Sequence, residues 1–382
     1  MFITISDVHH GAKDYEEMRN EFYCDNGFIS NVTEAAEEDE FIGVGILGDW
    51  FDKKLDANDP KYILAVTIVI HLASILCTRK KFLVILRGTA SHDLQQLNAF
   101  EYLQLVYPKY FRLFDSVGEM KFGNLNTLII PEEYPVSYED YYGKFLKKKY
   151  DLILGHGYFK WNSFSVNEAE RSLPRMPIHD EETFSKMATL VIFGHDHTFK
   201  NYKNIFYGGS FSRLCHGEEN PKGYLLSQIS NGDYEVIHIE NEEAPIYKKK
   251  QISTFLPKKG EEIKYEEIIR NIESFKNKNS VSELRIDLPT PFIEDNPEIV
   301  DMMRNYFSSK DGYKINKLKG IKNDKAKDID ESNDEESSVT TLDFLLSESS
   351  IVDKIYEYNL LKNPESTLTK ENITKALSKE GK

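Results

Sequence analysis

Cysteine is scarce in this sequence. Cys24, Cys77 and Cys215 are far apart and unpatterned. That argues against a disulfide framework or a thiolate zinc site and for a reducing compartment. Long apolar runs are scarce too. The longest candidate, Ile63 to Cys77, contains His71 and Ser74 and is shorter than the roughly 20 residues a membrane helix needs. No basic stretch precedes an apolar core at the start, so no signal peptide and no membrane association are expected, and the expected location is cytoplasmic. A basic excess is also lacking, since 63 acids face 48 lysines and arginines for a net charge of −15. Alone this speaks against a nucleic-acid partner. A metal site, however, also collects carboxylates, whose charge bound cations offset.

The 382 residues, 40% hydrophobic, suffice for two domains and a tail. The organising stretch is Phe41 to Asp49, a short apolar run that reads as a buried strand. Gly48 ends it. Asp49 then falls at the carboxyl end, where open α/β sheets place ligands. Four other segments share this design of apolar strand, small residue, then Asp or His. They end in Asp7/His9, His92, His156 and His195/His197. Asp7-x-His9 and His195-x-His197 put two side chains on one side of an extended segment. Parallel strands would bring all five ends to one edge. Imidazole and carboxylate without thiolate suit manganese, iron or zinc, and Asp49 could bridge two cations through its two oxygens. His10, His71, His179, His216 and His238 read as solvated loop residues.

Residues 14–38 read as helical and acidic, and Pro60 opens a second helix. Strand-helix alternation predicts parallel pairing with right-handed crossovers, and the whole reads as two stacked mixed sheets with helices outside. The first domain spans 1–250. A small α+β domain occupies 251–321, with helices near Tyr265–Phe275 and Pro297–Phe307 and alternating strands Glu283–Leu288 and Tyr313–Leu318. Residues 322–340 form an acidic linker expected to be disordered. In 341–382, Leu342, Leu345, Leu346, Val352 and Ile355, then Ile373, Ala376 and Leu377, recur at helical spacing. Such a helical tail suits docking into a partner's groove.

Asp-x-His, Gly-Asp, a late His-Asp, Gly-His and Gly-x-His together resemble the calcineurin-like metallophosphoesterase signature. The longer pattern is similar to the SbcD-type DNA-repair nucleases, especially their tailed-phage counterpart. The motifs cover residues 7–197, and the order of parts covers the whole chain more loosely. The resemblance implies an α/β, four-layer metallophosphoesterase fold in 1–250, with a DNA-binding α+β capping domain and a helical C-terminal tail. It implies that Asp7, His9 and His197 hold one metal, that His156 and His195 hold the other, and that Asp49 bridges. His92 would act on the scissile phosphate, with Asp93 orienting it. The family usually has Asn just before the catalytic His, as a ligand of the second metal. Here that position is Ser91, so Ser91, Thr89 or water would complete the site.

The implied activity is manganese-dependent exonuclease and endonuclease hydrolysis of DNA in a repair and recombination complex. The implied partners are DNA, an SbcC-like coiled-coil ATPase contacted through 341–382, and a second copy in a homodimer. The implied setting is a bacterial or phage-infected cell. The alternatives are another calcineurin-like phosphatase or phosphodiesterase, and a catalytically weak subunit that binds DNA ends. Tyr158, Phe159 and Trp161 either stack on bases or pack an aromatic loop on the core.

Overall fold

A computed structural model of the chain describes residues 1–93, 95–161, 178–257 and 263–318. The linker 322–340 and the tail 341–382 lie outside the described residues. In chain order the strands are β1 (Phe2–Ile5), β2 (Gly43–Leu47), β3 (Phe82–Leu86), β4 (Phe111–Phe114), β5 (Gly118–Phe122), β6 (Leu125–Ile130), β7 (Tyr150–His156), β8 (Tyr158–Phe159), β9 (Ile178–His179), β10 (Ala188–Gly194), β11 (Lys200–Tyr202), β12 (Ile205–Tyr207), β13 (Gly223–Ser230), β14 (Asp233–Glu240), β15 (Tyr247–Gln251), β16 (Glu283–Pro289) and β17 (Tyr313–Leu318).

Two six-stranded sheets carry the first 240 residues. One has the order β14-β13-β1-β2-β3-β4, the other β11-β12-β10-β7-β6-β5. Strands β1 to β4 are mutually parallel, and β13 closes antiparallel on β1. In the other sheet β6, β7, β10 and β12 are parallel, with antiparallel edges β5 and β11. Both sheets are therefore mixed, as the strand-helix alternation followed by hairpins predicts.

The sheets stack through one shared apolar layer. Phe2, Leu47 and Leu86 from the first meet Ile129, Leu154 and Ile192 from the second. Burying each such side chain is worth about 1.5–3 kcal/mol. The outer faces are covered by helices. Over the first sheet lie α1 (Tyr15–Tyr23), α2 (Phe28–Glu37) and α3 (Pro60–Thr78), and over the second lies α6 (Tyr138–Leu146). Between them in sequence come the short α4 (Ala90–Asp93) and α5 (Glu101–Val106).

The acidic stretch 14–38 is two helices. A Cβ at Gly27 would meet the Phe22 carbonyl at 2.8 Å, so the chain turns there over bare backbone. Helix α3 starts where Pro60 predicts, capped by the Asp59 carboxylate accepting from the Lys61 N–H at 2.8 Å. Its 19 residues are long and apolar enough to cross a membrane by length and composition, which corrects the expectation of no such segment. Leu64, Ile68, Val69, Leu72 and Leu76 are buried beneath it in the core with Val44 and Leu83, so it is the core helix of this sheet.

Residues 247–318 form a three-stranded parallel sheet, β15-β16-β17, with its own core around Ile268, Leu284, Ile286, Met303 and Phe307. Its first strand begins at Tyr247, ahead of the boundary read near Gln251. The sequence Tyr-Lys-Lys-Lys-Gln disguised it, because an edge strand can carry charge.

Candidate metal centre

Six parallel strands end at one edge of the stacked sheets. The loop after β1 runs bonded to the loop after β2, with Asp7 N–H donating to the Gly48 carbonyl (3.2 Å) and His9 N–H to the Asp49 carbonyl (3.0 Å). This backbone pairing sets Asp7 and His9 beside Asp49. Asp7, His9, Asp49 and His195 all have positive φ, between 49° and 96°, and make up half of the eight non-glycine residues so placed among the described residues. Backbone held in the left-handed region costs energy and concentrates at functional sites.

The side chains gather into three overlapping groups. Asp7, His9 and His197 form one, Asp49, His156 and His195 another, and His9, Asp49 and His92 lie between. Within each group the ligand atoms are all within 4.8 Å of one another. Asp49 joins the groups through one oxygen, not two. Its Oδ1 accepts the Thr89 N–H at 2.6 Å, while Oδ2 lies 3.4 Å from His156 Nε2 and 3.8 Å from His9 Nε2. Both Asp7 oxygens accept the His195 N–H at 3.0 Å.

Outer contacts orient the rings. The Leu47 carbonyl accepts from His156 Nδ1 at 2.7 Å, which turns Nε2 into the site. His156 Nε2 then stands 3.1 Å from His195 Nδ1. Two nitrogens each about 2.1 Å from one cation would be spaced about this far apart. Glu218 sits 3.2 Å from His197 Nδ1 and is itself paired to Lys222 at 3.0 Å. The Asp52 carbonyl accepts from His92 Nδ1, so Nε2 is the nitrogen left for chemistry.

Charge is strongly coupled here. Burial resists ionisation of Asp49, but His156, then His9 and His92, hold its carboxyl well below the usual range. Burial likewise opposes a charged His156, yet Asp49, Asp7 and Glu132 raise it to about 10.

Two expectations need correction. Asp93 does not orient His92. It is fully buried and accepts backbone N–H groups from Gly88 (2.7 Å), Asp49 (3.1 Å) and Phe51 (3.1 Å). Burial, then the Asp49 charge, pushes its carboxyl up to about 7. Asp93 therefore shapes the loop that carries Asp49, and Asp52 orients His92. Ser91 is exposed on α4. The residue of that loop inside the site is Thr89, whose hydroxyl lies 3.2 Å from Asp49 Oδ2 and 3.3 Å from His195 Nδ1.

The sequence reading missed Glu132. It follows β6 and is 2% exposed, with Oε2 lying 3.1 Å from His195 Nδ1 and 3.7 Å from His156 Nε2. Burial works against its charge, but His195 and His156 win and lower its pKa. The signal was Leu128-Ile129-Ile130-Pro131-Glu132, the same apolar strand and acid with proline in place of the small residue.

Of the histidines read as solvated, His10 and His179 are instead buried. His10 packs on Trp50 and Phe22, and burial drives its pKa well down. His216 pairs with Glu283 at 2.6 Å. Tyr158 and Phe159 are buried and Trp161 stacks on Tyr202, so these aromatics pack on the fold.

The donor set fits divalent cations. It holds carboxylates and imidazoles without thiolate, and the buried His9 Nε2 has no hydrogen-bond partner, while Nδ1 lies 3.4 Å from Asp52 Oδ1. Such orphaned nitrogens are rare unless an ion or water meets them.

No protein-family model matches the chain. No curated protein matches it. Among solved structures it is similar to TT1561 of Thermus thermophilus, at 11% identity over 62% of this chain and 97% of that one, with a TM-score of 0.35. The chain itself has two large mixed sheets flanked by helices. The buried His/Asp clusters at its edge are candidate sites for metal ions.

Gly48 guards this geometry. Its φ is +80°, and a Cβ there would meet His156 Nδ1 at 2.5 Å and Gly88 Cα at 2.6 Å. Gly48→Ala is expected to push His156 off the Leu47 carbonyl and weaken manganese binding by about 10–100-fold, the range for a lost outer contact. Calorimetric titration with manganese checks it.

Proposed function

We propose that this chain is a two-metal DNA nuclease, with exonuclease and endonuclease activity, of the SbcD type. The observation that carries this is the pair of clusters Asp7/His9/His197 and Asp49/His156/His195 with His92 beside them. Two divalent cations, most suitably manganese, would lower the pKa of a water nucleophile and offset charge on a phosphate.

The chain's own residues do the rest. Asp7, His9 and His197 would hold one cation and Asp49, His156 and His195 the other, with Asp49 also beside His9. His92, fixed at Nδ1 by Asp52, presents Nε2 to the scissile phosphate and gives its proton to the leaving oxygen. Asp93 ties the Asp49 loop to the loop after β3, accepting from the N–H groups of Asp49 and Phe51 in one and of Gly88 in the other.

The tail 341–382 is proposed to dock on a coiled-coil ATPase subunit, which would also supply the positive DNA surface that a chain of charge −15 lacks. Exposed Ile63 and Ile70 on α3 and Tyr102, Leu105 and Val106 on α5 support a homodimer through that face.

The test compares blunt duplex DNA, bis-p-nitrophenyl phosphate and cyclic nucleotides as substrates, with manganese and with chelator. Degradation of the duplex in manganese alone supports the nuclease. Turnover of the small esters with intact DNA left behind would make it a phosphatase or phosphodiesterase of the same fold.

A further inference from the structure

Of the six strand ends at this edge, the one carrying Glu132 has no counterpart in the motifs read from the sequence. We propose that Glu132 is a ligand of the second cation, in the role that the signature gives to an asparagine and that Ser91 does not fill. This rests on the metal-site reading above.

Four observations converge on it. The first is aim. Glu132 Oε2 lies 3.1 Å from His195 Nδ1, 3.7 Å from His156 Nε2 and 3.3 Å from the Thr89 hydroxyl, so it faces the same point as the two imidazoles. The second is restraint. The Tyr134 hydroxyl donates to Oε1, and the Glu132 N–H donates to the Arg87 carbonyl at 3.1 Å. One oxygen is held and the other is presented, as outer contacts commonly arrange for a ligand carboxylate.

The third is countercharge, which the imidazoles of His195 and His156 supply here and which a cation would take over. Glu132 is 2% exposed, and among the described residues no lysine or arginine pairs with it. A buried carboxylate needs a partner charge, and imidazoles that ligate a metal are neutral. The fourth is Ser91 itself, which is exposed on α4 and makes no hydrogen bond among the described residues.

The substitution changes the chemistry of the site. An amide oxygen is neutral, whereas a carboxylate adds one negative charge. Asp49, Glu132, His156 and His195 then give two oxyanions and two imidazoles, a harder and more anionic set than one with asparagine. Such a set favours manganese or iron over softer ions.

The experiment uses the full chain as native protein, Glu132→Gln, Glu132→Ala and Ser91→Ala. Bound manganese is counted after equilibrium dialysis, and paramagnetic resonance reads the spin-coupled ion pair. The native protein and Ser91→Ala are expected to hold two ions and give the coupled signal. Glu132→Ala is expected to lose the coupled signal, with affinity for the second ion down at least about 10-fold and the first ion unchanged, while Glu132→Gln, which keeps an amide oxygen but no charge, is expected to fall between it and the native protein. If Glu132→Ala does not fold, Glu132→Met, which fills the same space without an oxygen, decides in its place. Two ions with native affinity in both Glu132 variants, or loss of the second ion in Ser91→Ala, would overturn the proposal. A native protein that takes up no manganese would instead remove the metal-site reading itself.

Discussion

Under the proposed two-metal nuclease reading, Asp49→Asn is expected to bind at most one manganese ion in place of two, and to hydrolyse DNA on the order of 10⁴-fold more slowly. The cause is the position of Oδ2, 3.4 Å from His156 and 3.8 Å from His9. Among the described residues, Asp49 is the carboxylate that two of the three groups share. An amide nitrogen there would point a donor at the cations and carry no charge. Losing one preorganised electrostatic contact costs about 10²–10³ in rate, and two cation sites depend on this one. Asparagine is the informative replacement because it tolerates the left-handed backbone (φ 49°) that Asp49 adopts.

Metal-free stability gives a second readout. His156 is raised to about 10 and Asp49 is depressed. The raised histidine contributes stability that is complete below its unfolded pKa of about 6.5 and fades as pH rises toward its folded value. The depressed carboxylate contributes above its unfolded pKa of about 3.9. The gap in melting temperature between native protein and Asp49→Asn is therefore widest near pH 5–6 and narrows toward pH 9. A gap that widens with pH would contradict the pairing.

His92→Ala is the second large effect. Duplex hydrolysis falls by about 10²–10⁴, the usual worth of a positioned acid, while manganese stoichiometry and affinity stay at native values. His92 packs edge-on against His9, with ring centres 4.7 Å apart, and is fixed by the Asp52 carbonyl. It belongs to the middle group with His9 and Asp49, and the proposed role makes it an acid rather than a ligand. Single-turnover rates and dialysis on the same sample decide. A variant that also loses an ion would make His92 a ligand.

The strand ends of β1, β2, β3, β7 and β10 were legible because apolar runs closing on a small residue and an Asp or His are rare by accident. The stacked mixed sheets followed from the order of strands and helices. Glu132 escaped because Pro131 broke the pattern and because 111–131 reads as short strands with turns. Asp93 was misjudged for a physical reason. A carboxylate next to a histidine in sequence can as well face backbone N–H groups, and only the turn at Gly88 decides which. Gly27 and the charged edge strand β15 show the same limit. Close backbone approach and edge position leave little trace in side-chain pattern.

Neither sheet owns a complete set of donors. Asp7, His9 and Asp49 come from one, and His156, His195 and His197 from the other. A nascent chain stopped before residue 150 can pair its early strands and bring together His9, Asp49 and His92, yet it completes neither of the two outer clusters. On the proposed two-metal reading, both cation sites would be complete only after the strands of the second sheet are made.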